Sequence, residues 1–499
     1  MIKFLKKNIA KLWAKRHVKQ CDTYKNNAVE DQQQLLLSMV RHAEKTLFGR
    51  EHLFQEIHSV KDYQKNVPVR DYEGLKNYIE KIKKGQASIL WPGQPHYFAK
   101  TSGTTSGTKY IPLTKSGMDH QVKAAQSALF HYIAQKSNAD FVNGKMIFLQ
   151  GSPELEDLYG IKTGRLSGIV AHHIPAYLQK NRLPSWGTNT IEDWETKVDA
   201  IVKETETQNM TLISGIPPWL IMYFEKLKER HGKKITELFP NLQLIITGGV
   251  NYEPYREKMN ELLGKPVDTL QTFPASEGFF AFQDDYTQEG LLLLTNHGIF
   301  YEFIPLELYG KPEAVRLTLK DIELHKDYAM ILTTDSGLWA YSIGDVVRFI
   351  SKAPYRVLVS GRTKHFTSAF GEHVIAFEVE EAIKSAVEKY PTQITEFHLA
   401  PQVTPEEGLP YHEWFIEFEK EPENIEGFRK HLDEEMRQLN PYYNDLISGN
   451  ILQPLVITRL KKNAFQDYAK SVGKLGGQNK IPRLANDRKI AEILEKSKY

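Results

Sequence analysis

The sequence predicts a large N-terminal α/β domain with a parallel sheet and a β-barrel portion, followed by a small mobile α+β domain. Three observations lead there. Between residues 145 and 263 short apolar runs alternate with helix-patterned segments: KMIFLQ (145–150), TLISG (211–215) and LQLIIT (242–247) read as buried strands, and 191–204, 218–230 and 255–263 as helices, the rhythm of a mostly parallel sheet. Beyond Gly290 the rhythm changes to closely set apolar runs (291–294, 299–304, 328–333, 339–343 and 346–350), which read as antiparallel sheet or barrel. The chain has 499 residues, and single cores stop growing near ~250 to 300. Two lobes are therefore expected, residues 1–360 and 361–499.

The first twenty residues, MIKFLKKNIAKLWAKRHVKQ, carry Lys3, Lys6, Lys7, Lys11, Lys15, Arg16 and Lys19 and no acid. Ile2, Leu5, Ile9, Leu12 and Trp13 recur at helical spacing, and the lysines interrupt anything like a signal-peptide apolar run. The preferred reading is a surface helix docked on the core by those apolar residues, ahead of peripheral contact with an anionic membrane. No apolar run approaches the ~20 residues that span a bilayer, so no transmembrane segment is expected. Residues 29–85 look mainly helical, with Leu35, Met39, Val40 and Ala43 on one stripe and Tyr72, Leu75, Tyr78 and Ile79 on another. They are expected to buttress the Ser/Thr/Gly-rich stretch 98–114.

That stretch is FAKTSGTTSGTKYIPLT. Ser102, Thr104, Thr105, Ser106 and Thr108 offer hydroxyl donors, Gly103 and Gly107 let backbone N–H groups approach an anion, and Lys109 adds a cation. It reads as a phosphate-gripping loop. It is not a Walker A loop, whose G-x-x-x-x-G-K-[ST] spacing the two glycines do not meet. Residues 116–135 then read as a helix. The Gly-, Pro-, His- and Ser-rich stretch 151–186 reads as a long irregular excursion of the kind that often carries function. After residue 361 strands near 396–399 and 413–418 and helices near 376–389 and 425–439 complete the small unit.

A formal net charge of +2, 41% hydrophobic and 25% charged residues describe a globular chain without the basic excess of a nucleic-acid binder, so no nucleic acid is expected as a partner. Cys21 is the single cysteine, which excludes a disulfide framework within the chain or a multi-cysteine zinc site and fits a cytoplasmic protein. HExxH, CxxC, GxGxxG and GxSxG signatures are absent.

Four further stretches offer chemistry. In TFPASEGFF (272–280) Glu277 is a candidate magnesium ligand or a helix cap. In YSIGDVV (341–347) Asp345 is an acceptor-only group suited to ribose hydroxyls, or a turn residue. GRTKHFTSAFGE (361–372) sets Arg362, Lys364 and His365 at the expected boundary, as a nucleotide-contacting hinge or a charged linker. GGQNKIPR (476–483) sets Lys480 on a Gly-rich approach, as a delivered cation or a solvated one.

Together with VPVRDYEGLKNYI (67–79), TSGTTSGTK (101–109) and the tail KKNAFQDYAKSVGKLGGQNKIPR (461–483), these stretches resemble the acyl-acid amido synthetases of the auxin-responsive (Gretchen-Hagen-type) family, a branch of the acyl-adenylate-forming enzymes. The resemblance covers nearly the whole chain. It implies an enzyme, a ligase that uses ATP and Mg²⁺ to convert a carboxylic acid to an acyl-adenylate and pyrophosphate, then passes the acyl group to an amino-acid amine. On that resemblance Ser102, Gly103, Thr104 and Thr105 hold phosphates, and Thr272, Phe273 and Glu277 face the α-phosphate, the nucleotide ring and the metal. Asp345 binds ribose, Arg362, Lys364 or His365 serves the hinge, and Lys480 stabilises charge developing during adenylation. The stretch 164–177 lies where the family binds its acyl acid, so Arg165 would pair with a substrate carboxylate and His172 or His173 would line the pocket. Phe273 and Pro274 depart from the tyrosine and small residue typical of plant members. A coenzyme A ligase and a non-catalytic nucleotide or acid sensor remain the alternatives. They separate on whether coenzyme A or an amino acid stimulates turnover, and on whether any adenylate forms.

Overall fold

The structure is a computed structural model. It describes residues 2–499 apart from 103–107, 175–178, 192–193, 250–251, 253–254, 364–365, 368–369, 371–373, 404, 449–451, 474–480 and 486. The chain forms two compact units, Met1–Val250 with Lys265–Leu358, and Asn251–Gly264 with Val359–Tyr499.

In the first unit β1 (Tyr97–Ser102), β2 (Thr108–Leu113), β4 (Glu156–Leu158) and β5 (Ile161–Gly164) make a small sheet in the order β2-β1-β5-β4. The remaining strands are β3 (Lys145–Phe148), β6 (Arg182–Leu183), β7 (Met210–Ser214), β8 (Leu244–Gly248), β9 (Asp268–Ala275), β10 (Gly278–Phe282), β11 (Leu291–Leu293), β12 (Ile299–Pro305), β13 (Asp327–Thr334), β14 (Tyr341–Lys352) and β15 (Tyr355–Arg362). They run as one sheet in the order β12-β13-β14-β15-β11-β10-β9-β8-β7-β3-β6. The stretch β9-β8-β7-β3-β6 is parallel, and its central strand β7 is buried from Met210 to Ile213. Leu212, Leu244 and Leu270 pack against Ala124, Ala128 and Tyr132 of the helix Lys115–Lys136. The expected barrel portion is corrected: among the described residues no closed barrel forms, and the antiparallel strands continue the open sheet. Apolar run lengths reveal strands but not which edges they pair. The excursion 151–186 is also more regular than expected, since it holds β4, β5, β6 and the helix Leu166–Ala171.

The N-terminal helix, Ile2–Asn26, lies on this unit with a different face from the one expected. Ala10, Ala14 and Cys21 join the cluster of Ala124 and Ala128, and His17 reaches Ser127 Oγ at 2.7 Å. Small side chains let the two helices approach closely, so the inward stripe is alanine, histidine and cysteine. Leu12 and Trp13 are 63% and 60% exposed. Among the described residues no helix is long and apolar enough to cross a membrane.

In the second unit β18 (Gln393–Gln402), β19 (Tyr411–Lys420) and β20 (Val456–Leu460) form a three-stranded sheet, and β16 (Phe366–Thr367) pairs with β17 (Val374–Ile375). The helices Ala376–Lys389 and Ile425–Leu439 cover it through Val379, Ile383, Phe428 and Leu432, which meet Phe397, Leu399, Trp414 and Ile416. The helix Arg256–Leu263, read in the sequence as part of the large domain's alternation, groups with this unit. Tyr255 donates to Glu396 at 2.9 Å, and the Arg483 guanidinium lies 4.7 Å from the Tyr255 ring centroid.

Candidate active site

Parallel strands of an open sheet present their carboxyl ends as the ligand edge. Here that edge carries Gln150–Gly151 after β3, Gly215 after β7, Gly249 after β8 and the end of β9. There the chain turns back at once. Ala275 pairs with Gly278, so Ser276 and Glu277 are the two-residue turn of the β9–β10 hairpin. A Cβ at position 278 would lie 2.4 Å from Ile299 Cδ1, so a larger residue there would displace the end of that isoleucine. Glu277 is half-buried, and the Tyr341 hydroxyl donates to its Oε1 at 3.5 Å. Thr272 donates to the Thr247 carbonyl at 2.9 Å, locking β9 to β8. Phe273 is buried edge-on against Phe280, centroids 5.0 Å apart.

Tyr341 opens β14, the strand that also carries Asp345. Ile331 of β13 faces Ser342 and Ala329 faces Val346, so β14 bulges over 343–345, with Gly344 at φ 89°. Bulges re-aim side chains at sheet edges and sites, and this one holds Asp345. The stretch 67–79 is the brace. Arg70 pairs with Tyr341 through Arg70 N to Ala340 O at 3.1 Å and Ser342 N to Arg70 O at 2.7 Å. Asp71 caps the helix Tyr72–Lys83, and the Tyr72 hydroxyl accepts the Tyr110 N–H at 2.9 Å. Lys109 lies 5.7 Å from the Tyr72 ring centroid. One short segment thus ties the strand leaving the hydroxyl-rich loop to the strand bearing Asp345.

The loop itself rises from the antiparallel pair β1–β2, closing at Ser102 opposite Thr108. Gly103, Thr104 and Thr105 lie outside the described residues, as do Lys364 and Lys480, while Ser102 and Arg362 are described only as strand backbone. The chain after Lys480 is anchored: Leu399 N donates to Arg483 O at 2.8 Å, and Ala485 N to Leu399 O at 3.0 Å.

Arg165 follows β5, whose Gly164 lies beside Ala99 of β1, so it leaves the small sheet at the same end as the loop. Its stem presses on Gly151, where a Cβ would sit 2.8 Å from Arg165 Cδ. Two cations missed in the sequence join it. Lys197, 2% exposed, donates to the Gln150 carbonyl at 3.2 Å and the Asn189 carbonyl at 2.5 Å. Arg182 donates to the Ala171 carbonyl at 3.3 Å and reaches the Gln150 side-chain amide. Burial pushes the Lys197 ammonium down to about 8, and the like charge of Arg165 adds to it. Burial likewise lowers Arg165 and Arg182. Three cations therefore meet around Gln150–Gly151, and Arg165 has no side-chain hydrogen bond or ion pair among the described residues. His172 is held by the Pro153 carbonyl at 2.8 Å and lies edge-on to Trp186; His173 reaches the Tyr97 hydroxyl at 3.1 Å, with burial lowering its pKa.

A small pocket, with room for about one water molecule, adjoins Glu277 and is lined among others by His120, Gln121, Phe279, His297 and Asp335. Thr114 caps the helix Lys115–Lys136 and donates to the Asp335 carbonyl at 3.0 Å; Ser116 donates to the Asp335 carboxylate at 2.5 Å. His120 Nδ1 lies 3.0 Å from the same carboxylate. Burial, then His120, pushes His297 down to about 4, so this wall is a neutral imidazole near pH 7. No sequence signal marked these residues, which come from three distant stretches. Among the described residues no group of three or more His, Cys, Asp or Glu could hold a metal alone.

The fold, a parallel sheet extended by antiparallel strands, is shared with solved structures. The chain superimposes on AtGH3.15 acyl acid amido synthetase in complex with 2,4-DB at a TM-score of 0.79, with 16% identity over 97% of this chain and 96% of that one. With a 2-hydroxyisobutyryl-CoA ligase the TM-score is 0.61, at 12% identity over 93% and 90%. These likenesses show the fold. Family models match as the GH3 family N-terminal domain at residues 17–192, the central domain at 292–362 and the C-terminal domain at 377–489. The chain belongs to the GH3 family, the auxin-responsive family that its motifs resemble. Among curated relatives, indole-3-acetic acid-amido synthetase GH3.3 of Arabidopsis thaliana is 25% identical over 52% of this chain and 46% of its own length. Indole-3-acetic acid-amido synthetase GH3.15 of the same plant is 23% identical over 87% of each. The chain spans about half the length of the first of these relatives.

Proposed function

We propose that the protein is an ATP-dependent acyl-acid amido synthetase. It joins a carboxylic acid to ATP as an acyl-adenylate, releasing pyrophosphate, and transfers the acyl group to the amine of an amino acid, releasing AMP. Family membership supports the reaction class. The observation that carries the assignment is the brace of residues 67–79, which ties the strand leaving the hydroxyl-rich loop to the strand whose Tyr341 holds Glu277 and whose bulge holds Asp345. Phosphates, metal and ribose need fixed groups of these kinds at fixed spacing.

In this reading Ser102, Gly103, Thr104 and Thr105 receive phosphates through hydroxyl and backbone donors, Thr272 faces the α-phosphate, and Asp345 accepts from ribose hydroxyls. Phe273 stiffens the strand beneath the nucleotide through Phe280. Arg362 or Lys364 serves the hinge, and Lys480 stabilises the charge that builds during adenylation. Magnesium is bound with few protein carboxylates and several phosphate oxygens and waters, a demand that Glu277 at an open hairpin tip fits; bound there, the ion would neutralise phosphate charge. Arg165, backed by Arg182 and Lys197, receives a substrate carboxylate. His173, neutral through burial, lines that approach, and His172 fixes its backbone. Residues 1–360 form the ATP- and acid-binding part and 361–499 the part that delivers Lys480. The single cysteine fits a cytoplasmic enzyme.

The test is pyrophosphate exchange across a library of carboxylic acids, with AMP release then measured with amino acids or coenzyme A added. Exchange with some acids, and AMP release stimulated by amino acids alone, is expected. Stimulation by coenzyme A alone overturns the amide assignment, and tight ATP binding without exchange with any acid overturns catalysis.

A further inference from the structure

We propose that the outward face of the N-terminal helix Ile2–Asn26 docks the protein on an anionic lipid surface. This goes beyond the ligase reading and stands independently of it. The helix has already spent its packing face. Ala10, Ala14, His17 and Cys21 recur at four, three and four residues and meet the helix Lys115–Lys136 through Ala124, Ser127 and Ala128. Lys7 is drawn to Asp140 at 2.6 Å, and Lys25 to Asp284 at 3.2 Å, near the two ends of that face.

The outward side is left with Ile9, Leu12 and Trp13, which are 43%, 63% and 60% exposed. Scattered exposed apolar residues need no explanation. Here three share a single turn, and no other helical turn of the described residues holds more than one of the exposed large hydrophobics. Around them Lys15, Arg16 and Lys19 are exposed, and the first acid of the chain is Asp22. A tryptophan and two aliphatic side chains flanked by cations match the headgroup boundary of a bilayer containing acidic lipid: the ring and aliphatic chains enter the acyl margin, and the ammonium and guanidinium groups meet phosphates. Charge selects the occupant. A second copy would set this cationic face against its own like, whereas acidic lipid complements it.

The test is flotation of the 499-residue chain with vesicles of phosphatidylcholine alone or mixed with phosphatidylglycerol. The expected result is flotation with the acidic vesicles at low salt, loss of it at high salt, and no flotation with phosphatidylcholine. The double variant Leu12→Ser/Trp13→Ser lowers the bound fraction about tenfold, because the apolar contact goes with the charge left in place. Arg16→Glu/Lys19→Glu lowers it at least as much. Both variants keep the wild-type melting temperature, since neither touches the packed face. Absence of flotation with acidic vesicles at low salt overturns the proposal, as does undiminished flotation of both variants. A wild-type dimer that Leu12→Ser/Trp13→Ser converts to monomer, without vesicle binding by either form, overturns it in favour of self-association.

Discussion

The hairpin carrying Glu277 and the segment carrying Arg165 both hold a charged group at the edge of the same unit, and they do it by opposite means. Around Glu277 the polar groups are chained together: Tyr341 reaches the carboxylate, Arg70 pairs with Tyr341, and Tyr72 of the same brace holds the strand of Tyr110. Around Arg165 the neighbours are Arg182 and Lys197, charges of its own sign, lowered in pKa by burial. A region whose partners are all supplied by the protein is built to keep its geometry. A region that gathers cations and, among the described residues, supplies no carboxylate to Arg165 suits the proposed role of receiving one. The first arrangement suits chemistry common to every substrate, and the second suits choosing among them.

The largest effect that would sharpen this contrast is on the chemical side. Lys480→Ala is expected to reduce adenylate formation by roughly two to three orders of magnitude, since a contact formed mainly in the transition state is worth ~3 to 4 kcal/mol. Pyrophosphate exchange measures it, with ATP affinity as the control; unimpaired exchange removes Lys480 from the chemistry. On the receiving side, Arg165→Met should raise KM for the carboxylate-bearing substrate about 10- to 100-fold with kcat little changed, because a charge-assisted hydrogen bond contributes ~1.5 to 3 kcal/mol. Arg165→Lys should recover part of it. An equal loss in kcat would place Arg165 with Glu277 and break the comparison.

Smaller changes probe the brace and the cations separately. Tyr72→Phe leaves the Tyr110 N–H without its acceptor and should cost about 1 kcal/mol in chemical denaturation, together with a rise in KM for ATP that Arg165→Met does not show. The smallest effect concerns pH. Lys197 titrates near 8 in the folded chain, against an ordinary value of 10.5. Its depressed pKa means the unfolded chain binds more protons between those values, so wild-type stability gains with pH through that window. Lys197→Met lacks this gain. The difference between their denaturation midpoints should move in favour of wild type as pH rises from about 8 towards 10.5, and a pH-independent difference would show that burial does not perturb the ammonium.

Much of the proposed catalytic side can be written from the sequence because its residues lie in contiguous words. TFPASE and YSIGDVV each carry a candidate group together with the turn or strand that presents it, and the alternation of apolar runs marks the parallel sheet. Assemblies of distant residues escape such a reading. Arg182 and Lys197 come to Gln150, beside Arg165 at Gly151, only because β3 and β6 are neighbours and the helix Trp194–Thr205 lies close by, and His120, His297 and Asp335 meet from three separate stretches. The open sheet reads in part as a barrel because pairing order leaves no trace in composition. The N-terminal helix reads inside out for a different reason: its large apolar residues draw attention, while the contact is made by alanines, whose value lies in the room they leave.

The bulge in β14 has one more consequence. From Ser342 to Val346 the strand spends four steps where its partner spends two, from Ile331 to Ala329. A surplus of one must be absorbed by a local break in the alternation of side chains across the sheet. A surplus of two keeps it. Beyond the bulge Arg348 still stands opposite Asp327, ion-paired at 2.5 Å, and Phe349 is still fully buried. Because the surplus is even, the strand carries Asp345 on a detour whose parity is invisible downstream, and the aspartate's placement and the sheet's alternation are arithmetically independent.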